Sequence, residues 1–263
     1  MDNEIFNHMK NRISNWMSLA AAAVMIISTA CTSETEVHAI PDNLNPMTMT
    51  PSLFTDIPEG LVEELGVEDG IPSSLCAFLV KKDGKNVLFD SGNGAENSQL
   101  VPLLEAHGVM PEDVDYVFIT HTHGDHIGGM VNDGKAVFTN AVVYMNKDEY
   151  EGVEGFSESA MAQAYGNQLT LFTAESKLPF GISAIQAYGH TPGHTMYRIG
   201  DIVFAGDIMH ATALQLANPE SCARFDQNKE QSAQARKDAI TNFKAEGLKV
   251  YGMHFPEPYY IQF

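Results

Sequence analysis

The sequence predicts an α/β fold: one domain in which two sheets are faced by helices and the polar clusters sit on loops at strand ends. Three observations lead to it. From Glu36 onward, apolar runs of strand length alternate with stretches of helical spacing. The order of strand, helix and strand appears in both halves with no break in composition between them. A chain of 263 residues, 44% of them apolar, is also long enough to bury a sizeable core within one domain.

Residues 36–40 read as a first strand, and 41–58, rich in Pro, Thr and Asn, as a long loop. Residues 61–65 give a short helical turn. Residues 77–80 and 86–89 read as a hairpin across Lys82-Asp83-Gly84-Lys85, where the Asp-Gly pair suits a tight turn. Residues 98–107 carry Leu100, Leu103 and Leu104 at helical spacing and stop at Gly108. Strands follow at 116–119 and 142–145, then a polar helix at 147–150. From Leu169 the pattern is β again, with a second hairpin of 196–199 and 202–205 about Gly200-Asp201. Residues 231–243 make an amphipathic helix with Ala233, Ile240 and Phe243 on one side. The final strand, 248–251, delivers His254, and no strand is expected in the nine residues after it.

Residues 1–30 stand apart. Lys10 and Arg12 precede an Ala-rich apolar run, 16–27, that falls short of the ~20 residues a membrane span needs. Ser28-Thr29-Ala30 and then Cys31 complete the order of a secretory signal. This start resembles a bacterial lipoprotein signal, which implies a lipid on Cys31 and a membrane anchor in the cell envelope. Ser-x-Ala equally suits cleavage to a secreted soluble form. The expected mature domain is 31–263. Its thiols, Cys76 and Cys222, are expected to be buried and free. Lys and Arg total 15 against 34 Asp and Glu, a formal charge of −19. Such a surface repels phosphate backbones and speaks against nucleic acid as a partner.

Seven of the ten histidines fall in four short segments. His121, His123 and Asp125 are two residues apart, so in an extended segment all three side chains point to one face. His126 points elsewhere unless the chain turns, as Gly124 and a helix start would allow. The pattern suits two neighbouring metals, one taking His121 and His123 and the other Asp125 and His126. Imidazole and carboxylate fit Zn2+, and also Mn2+, Fe2+ or Co2+.

The run Thr120-His121-Thr122-His123-Gly124-Asp125-His126 resembles the His-x-His-x-Asp-His loop of the metallo-β-lactamase superfamily. Leu88-Phe89-Asp90-Ser91-Gly92, Gly189-His190-Thr191-Pro192-Gly193-His194-Thr195, Phe204-Ala205-Gly206-Asp207 and His254 match further segments in the family's order. The resemblance covers roughly 36–256 and implies a four-layer αββα sandwich. It implies His121, His123 and His194 on one metal, Asp125, His126 and His254 on the other, and Asp207 bridging them. Behind the ligands it sets Asp90, which orients a ligand ring, and His190, bonded to nearby backbone. His210 is expected either to donate to a ligand or to pack. Gly206 to His210, Leu214 to Pro219, Phe225-Asp226 and Ala235-Arg236 most resemble the methyl parathion hydrolase-like and lactonase branch.

What this branch implies is a hydrolase whose two metals share a hydroxide that attacks a carbonyl carbon or phosphorus. Asp207 would hold both ions, and Asp125 or a water would protonate the leaving group. The expected substrate is a small molecule: a lactone, another ester or an organophosphate. Alternatives are a β-lactam hydrolase or a glyoxalase II-like thioesterase, and, from another class, a metal-binding surface lipoprotein without turnover.

Overall fold

Side-chain alternation along the strands sets the architecture. The computed structural model describes residues 35–263; the expected signal, 1–30, and Cys31 lie outside the described residues. The first sheet runs β1 (Glu36–Pro41), β2 (Cys76–Lys82), β3 (Lys85–Phe89), β4 (Tyr116–Phe118), β5 (Val142–Asn146) and β6 (Leu169–Phe172), in that spatial order. The first three pair antiparallel and the last three continue parallel. The second sheet runs β7 (Ser183–Gln186), β8 (Thr195–Ile199), β9 (Ile202–Phe204), β10 (Lys249–Tyr251) and β11 (Tyr260–Gln262). Only β9 and β10 are parallel there.

One face of each strand looks into a core between the sheets. Phe78, Val80, Val87, Phe89 and Phe118 meet Tyr197, Ile199, Phe204 and Tyr251 in it. The alternate residues Leu79, Leu88, Val117, Val143 and Met145 point outward. They pack under Leu100 and Leu104 of α2 (Leu100–Ala106) and Met161 of α5 (Ala160–Ala164). On the far side, Met196, Val203 and Val250 pack against Ala239, Ile240 and Phe243 of α7 (Lys229–Glu246). Helix, sheet, sheet and helix make four layers, as expected for the αββα sandwich. Shorter helices lie at α1 (Leu61–Leu65), α3 (Gly124–Ile127), α4 (Lys147–Gly152) and α6 (Thr212–Ala217).

The β2–β3 hairpin closes through Asp83 and Gly84, both at positive φ, with Lys82 facing Lys85. Two expectations need correction. Residues 41–58 are not all loop: Met47–Met49 pairs with Ile71–Ser73, and Phe54–Thr55 with Cys222–Ala223. Phe54 is buried there with Ile71, Leu214 and Ala223, so apolar contact orders a stretch whose Pro and Asn content suggested otherwise. A strand also follows His254: β11 pairs with β10 and turns Tyr260 into the inter-sheet core. Cys76 and Cys222 are buried free thiols.

Asp42, just past β1, braces the loop that follows β3. Its carboxylate accepts the backbone N–H groups of Asn93, Gln99 and Leu100 and the Ser98 hydroxyl, capping α2 from a distance in sequence. Gly92, at φ +69°, lies so close that a Cβ there would fall 2.4 Å from Asp42 Oδ2. Asp42→Ala strands these donors in a buried place and should cost about 2–3 kcal/mol. Thermal unfolding should record it as a fall in Tm of about 4–12 °C.

Candidate metal centre

The candidate residues gather at one edge, where β3, β4, β9 and β10 end and β8 begins. Crevices outside the carboxyl ends of parallel strands are where open α/β sheets place ligands, because loops of independent length converge there on a rigid frame. Thr195 N donates to Thr120 O at 3.0 Å, joining the two sheets at that edge. His123 is extended (φ −66°, ψ 151°) and α3 begins at the next residue. That change of conformation points His121 and His123 one way and turns His126 inward two residues later.

Two groups of donors form. In the first, His121 Nε2, His123 Nδ1 and His190 Nε2 lie 3.0–3.2 Å apart, with Asp207 Oδ2 3.3 Å from His190 Nε2 and 3.5 Å from His121 Nε2. In the second, His254 Nε2 is 3.4 Å from Asp125 Oδ2, and His126 and His254 offer Nε2 atoms 3.0 and 3.3 Å from Asp207 Oδ1. Each oxygen of Asp207 therefore serves one group. His210 Nε2 also reaches Asp207 Oδ2, at 3.0 Å, and its backbone N–H is held by Gln215 Oε1.

The expected roles of His190 and His194 are exchanged. His194 Nδ1 faces Ala187 O at 3.0 Å, and its Nε2 accepts the backbone N–H of Asp207 at 2.9 Å, so neither nitrogen is left for a metal. It holds the Asp207 backbone instead. His190 turns its Nε2 into the first group while its Nδ1 meets Asp226 Oδ1 at 2.7 Å. With four residues between them and a Pro-Gly turn inside, the sequence does not reveal which ring faces the centre.

The rings are braced from behind, as ligand imidazoles usually are. Asp90 Oδ2 sits 2.8 Å from His126 Nδ1 and accepts the Thr120 hydroxyl, while its Oδ1 takes Thr120 N. These bonds hold Asp90 at φ +55°, an unusual place for a residue other than glycine. Ser74 O faces His254 Nδ1 at 2.9 Å. Asp226 is backed by the fully buried Arg236 of α7, 3.6 Å away, whose guanidinium also donates to Ile208 O, Pro219 O and Ser221 O. The roles of Asp226, Arg236 and Ser74 were not read from the sequence. Asp226 and Arg236 entered only through the branch resemblance, with no role attached, and Ser74 contributes only its backbone.

The donor set fits divalent ions. His126 Nε2 and Asp207 Oδ1 are both buried without a hydrogen-bond partner. Tetrahedral Zn–N bonds of about 2.0–2.1 Å set ligand nitrogens about 3.3 Å apart, close to the spacing of the first group. Burial lowers His121 and His123, with neighbouring imidazoles adding to it, which favours the neutral ligand form. Burial opposes charge on His190 and His126 too, but their carboxylate partners prevail. His190 is raised to about 9 and His126 well above the ordinary imidazole value. Burial opposes ionisation of Asp207, yet His126, His254, His210 and His121 hold its carboxyl well below the usual range. A cation entering here displaces protons from the rings it meets.

A four-layer sandwich with this edge centre is the architecture of one family, and the chain belongs to it: the family model of the metallo-beta-lactamase superfamily matches residues 74–246. An N-acyl homoserine lactonase of Bacillus sp is 29% identical over 160 residues, 56% of this chain and 60% of that protein. The chain spans about two to three fifths of the length of the curated relatives it matches. Among solved structures, the hydrolase AbOPH of the beta lactamase superfamily is 28% identical, with a TM-score of 0.78 over 88% of this chain and 90% of that one. The fold is shared at 21% identity with AidC, a dizinc quorum-quenching lactonase, with a TM-score of 0.76 over 87% of this chain and 90% of that one.

His190 and His194 can be told apart by experiment. His190→Ala should cost one of two bound ions, read by elemental analysis at buffered metal. His194→Ala should keep both at saturating metal and lower stability by about 1–3 kcal/mol, the cost of stranding a buried N–H.

Proposed function

We propose that this chain is an exported, metal-dependent hydrolase of a small lactone or related ester-like electrophile, organophosphates included, with two divalent ions, Zn2+ by preference. The observation that carries the reading is Asp207, one buried carboxylate whose two oxygens face two separate sets of donors. His121, His123 and His190 would hold one ion, Asp125, His126 and His254 the other, and Asp207 both. Imidazole and carboxylate donors suit Zn2+ and also Mn2+, Fe2+ or Co2+, and the preference for Zn2+ draws on the dizinc lactonase AidC among the similar structures. The lactone preference draws on the Bacillus lactonase among the relatives.

When bound, such a pair supplies a water made acidic near neutral pH and Lewis acidity toward the electrophile's oxygen. The chain does the rest. Asp90, Asp226 and Ser74 O hold three ring nitrogens and so fix the directions of His126, His190 and His254. Asp125, partly exposed, or a water would pass a proton toward the leaving group. Phe225, 42% exposed, stands edge-on to His210 with ring centroids 4.9 Å apart, and Arg224 N bonds Leu53 O. Phe225 would offer an acyl or aryl group an apolar surface next to the centre.

Export through the 1–30 signal and lipidation of Cys31 belong to the same proposal. No helix among the described residues is long and apolar enough to cross a membrane, and the proposed anchor would be the lipid. Mass spectrometry of the mature N-terminus should find an acylated Cys31.

The activity is tested with a panel of long- and short-chain lactones, an aryl ester, a phosphotriester, a thioester and a cephalosporin, each with and without chelator. A chelator-sensitive lactone or ester rate with about two ions per chain is expected. Turnover of the cephalosporin alone would move the reading to a β-lactam hydrolase, and two ions without turnover to a binding protein. Asp207→Ala should loosen both ions together and lower kcat/KM by at least about a thousandfold.

A further inference from the structure

We propose that Glu149 is a positioning residue for one half of the centre: it fixes the spacing between the loop carrying His121 and His123 and the loop carrying His190. The inference rests on the two-ion reading above.

Glu149 lies in α4 and is fully buried, touching none of the candidate ligands' ring nitrogens. Its carboxylate accepts four hydrogen bonds, all from neutral donors. Oε1 takes the backbone N–H and the hydroxyl of Thr122, each at 2.8 Å. Oε2 takes the Thr191 hydroxyl at 2.6 Å and the Gly193 N–H at 2.9 Å. Thr122 stands between His121 and His123, and Thr191 directly follows His190. One oxygen thus serves each loop, and the rigid distance between the two oxygens becomes the distance between the loops. A buried carboxylate needs such a full set of donors to offset its lost hydration, so neither pair can drift away at low cost.

Backbone contacts around α4 agree independently. A Cβ on Gly193 would sit 2.1 Å from Glu149 N, and one on Gly152 would sit 2.6 Å from Pro192 Cβ. The 189–194 loop is therefore seated directly on the helix. Asn146, which caps α4 through its side-chain oxygen, sends its amide to Thr195 Oγ1 and the Tyr188 hydroxyl on either side of that loop. The second donor group is braced otherwise, His126 by Asp90 and His254 by Ser74 O. Loss of Glu149 should consequently loosen one ion and spare the other.

The test is competitive chelator titration of the zinc-loaded full chain, resolving two binding constants. Glu149→Gln keeps the shape but turns an N–H donor toward donors. It should weaken one constant about 10- to 100-fold, the range for partners behind a ligand, and leave the other unchanged. Thr191→Val, which deletes one donor isosterically, should weaken the same constant by less, and it decides the matter if Glu149→Gln does not fold. Glu151→Gln, on the exposed side of α4, should change neither. In a His190→Ala background, which lacks the affected site, Glu149→Gln should add no further loss. Two unchanged constants, or equal weakening of both in the folded variants, would overturn the proposal. A wild-type chain that binds fewer than two ions would instead overturn the two-ion reading on which it rests.

Discussion

A single buried carboxylate sets the terms for the whole strand-end edge. Asp207 is 2% exposed, and four imidazoles bring ring nitrogens within 3.5 Å of its oxygens. A fifth, His210, joins them at 3.0 Å. Oδ1 meets the His126 and His254 ring nitrogens at 3.0 and 3.3 Å without a well-directed hydrogen bond, an arrangement that a cation between them would complete. The backbone that carries Asp207 is correspondingly constrained. Gly206 adopts φ +51° because a side chain there would fall 2.6 Å from His194 Nε2 and 2.9 Å from Thr120 Cβ. His194, expected as a ligand, is what holds that turn in place.

From this constraint follows the use of all the layers. Three of the five ligand rings, His126, His254 and His190, are gripped by their outward nitrogen from different parts of the chain: Asp90 after β3, Ser74 ahead of β2, Asp226 ahead of α7. Arg236 extends the last grip into the helix that covers the second sheet, tying Asp226 and the Ile208 carbonyl near Asp207 to one guanidinium. A fully buried arginine is costly unless its donors are used, and here they go to Ile208 O, Pro219 O, Ser221 O and the Ser232 hydroxyl. Packing between layers thus fixes ring directions before any ion arrives, the condition for a site with little left to reorganise.

The sequence made part of this legible. Spacing of two along an extended run puts His121 and His123 on one face, because that geometry is local; Asp125, read as the third member of that face, instead lies in α3, which begins at Gly124 and turns it toward His126 and His254. The layers were legible from alternation in β2 to β4 and β8 to β10. Contacts between segments distant in the chain were not. Whether His190 or His194 faces the centre depends on the Ala187 carbonyl and on Asp226, thirty-six residues beyond His190. The β11 strand escaped because Tyr259, Tyr260, Ile261, Gln262 and Phe263 carry no turn signal that separates them from a tail. Its register comes from pairing with β10. Phe54 and Thr55 became a strand only through Cys222 and Ala223.

The charge of the chain and the charges around the centre act over different distances. The formal −19 is spread over the surface and screened beyond about 8 Å at physiological ionic strength. At the centre, two divalent ions would meet the carboxylates of Asp125 and Asp207 directly, with Asp90 and Asp226 on the rings behind, so four carboxylates would offset most of the ions' charge and leave local field direction to act on an electrophile's oxygen. Long-range attraction is therefore weak at the centre, and the field there is set by its immediate neighbours. Phe225, 42% exposed, stands edge-on to the buried His210 with ring centroids 4.9 Å apart, on a segment that follows the pairing of 222–223 with 54–55, so that one apolar ring faces solvent next to the donors.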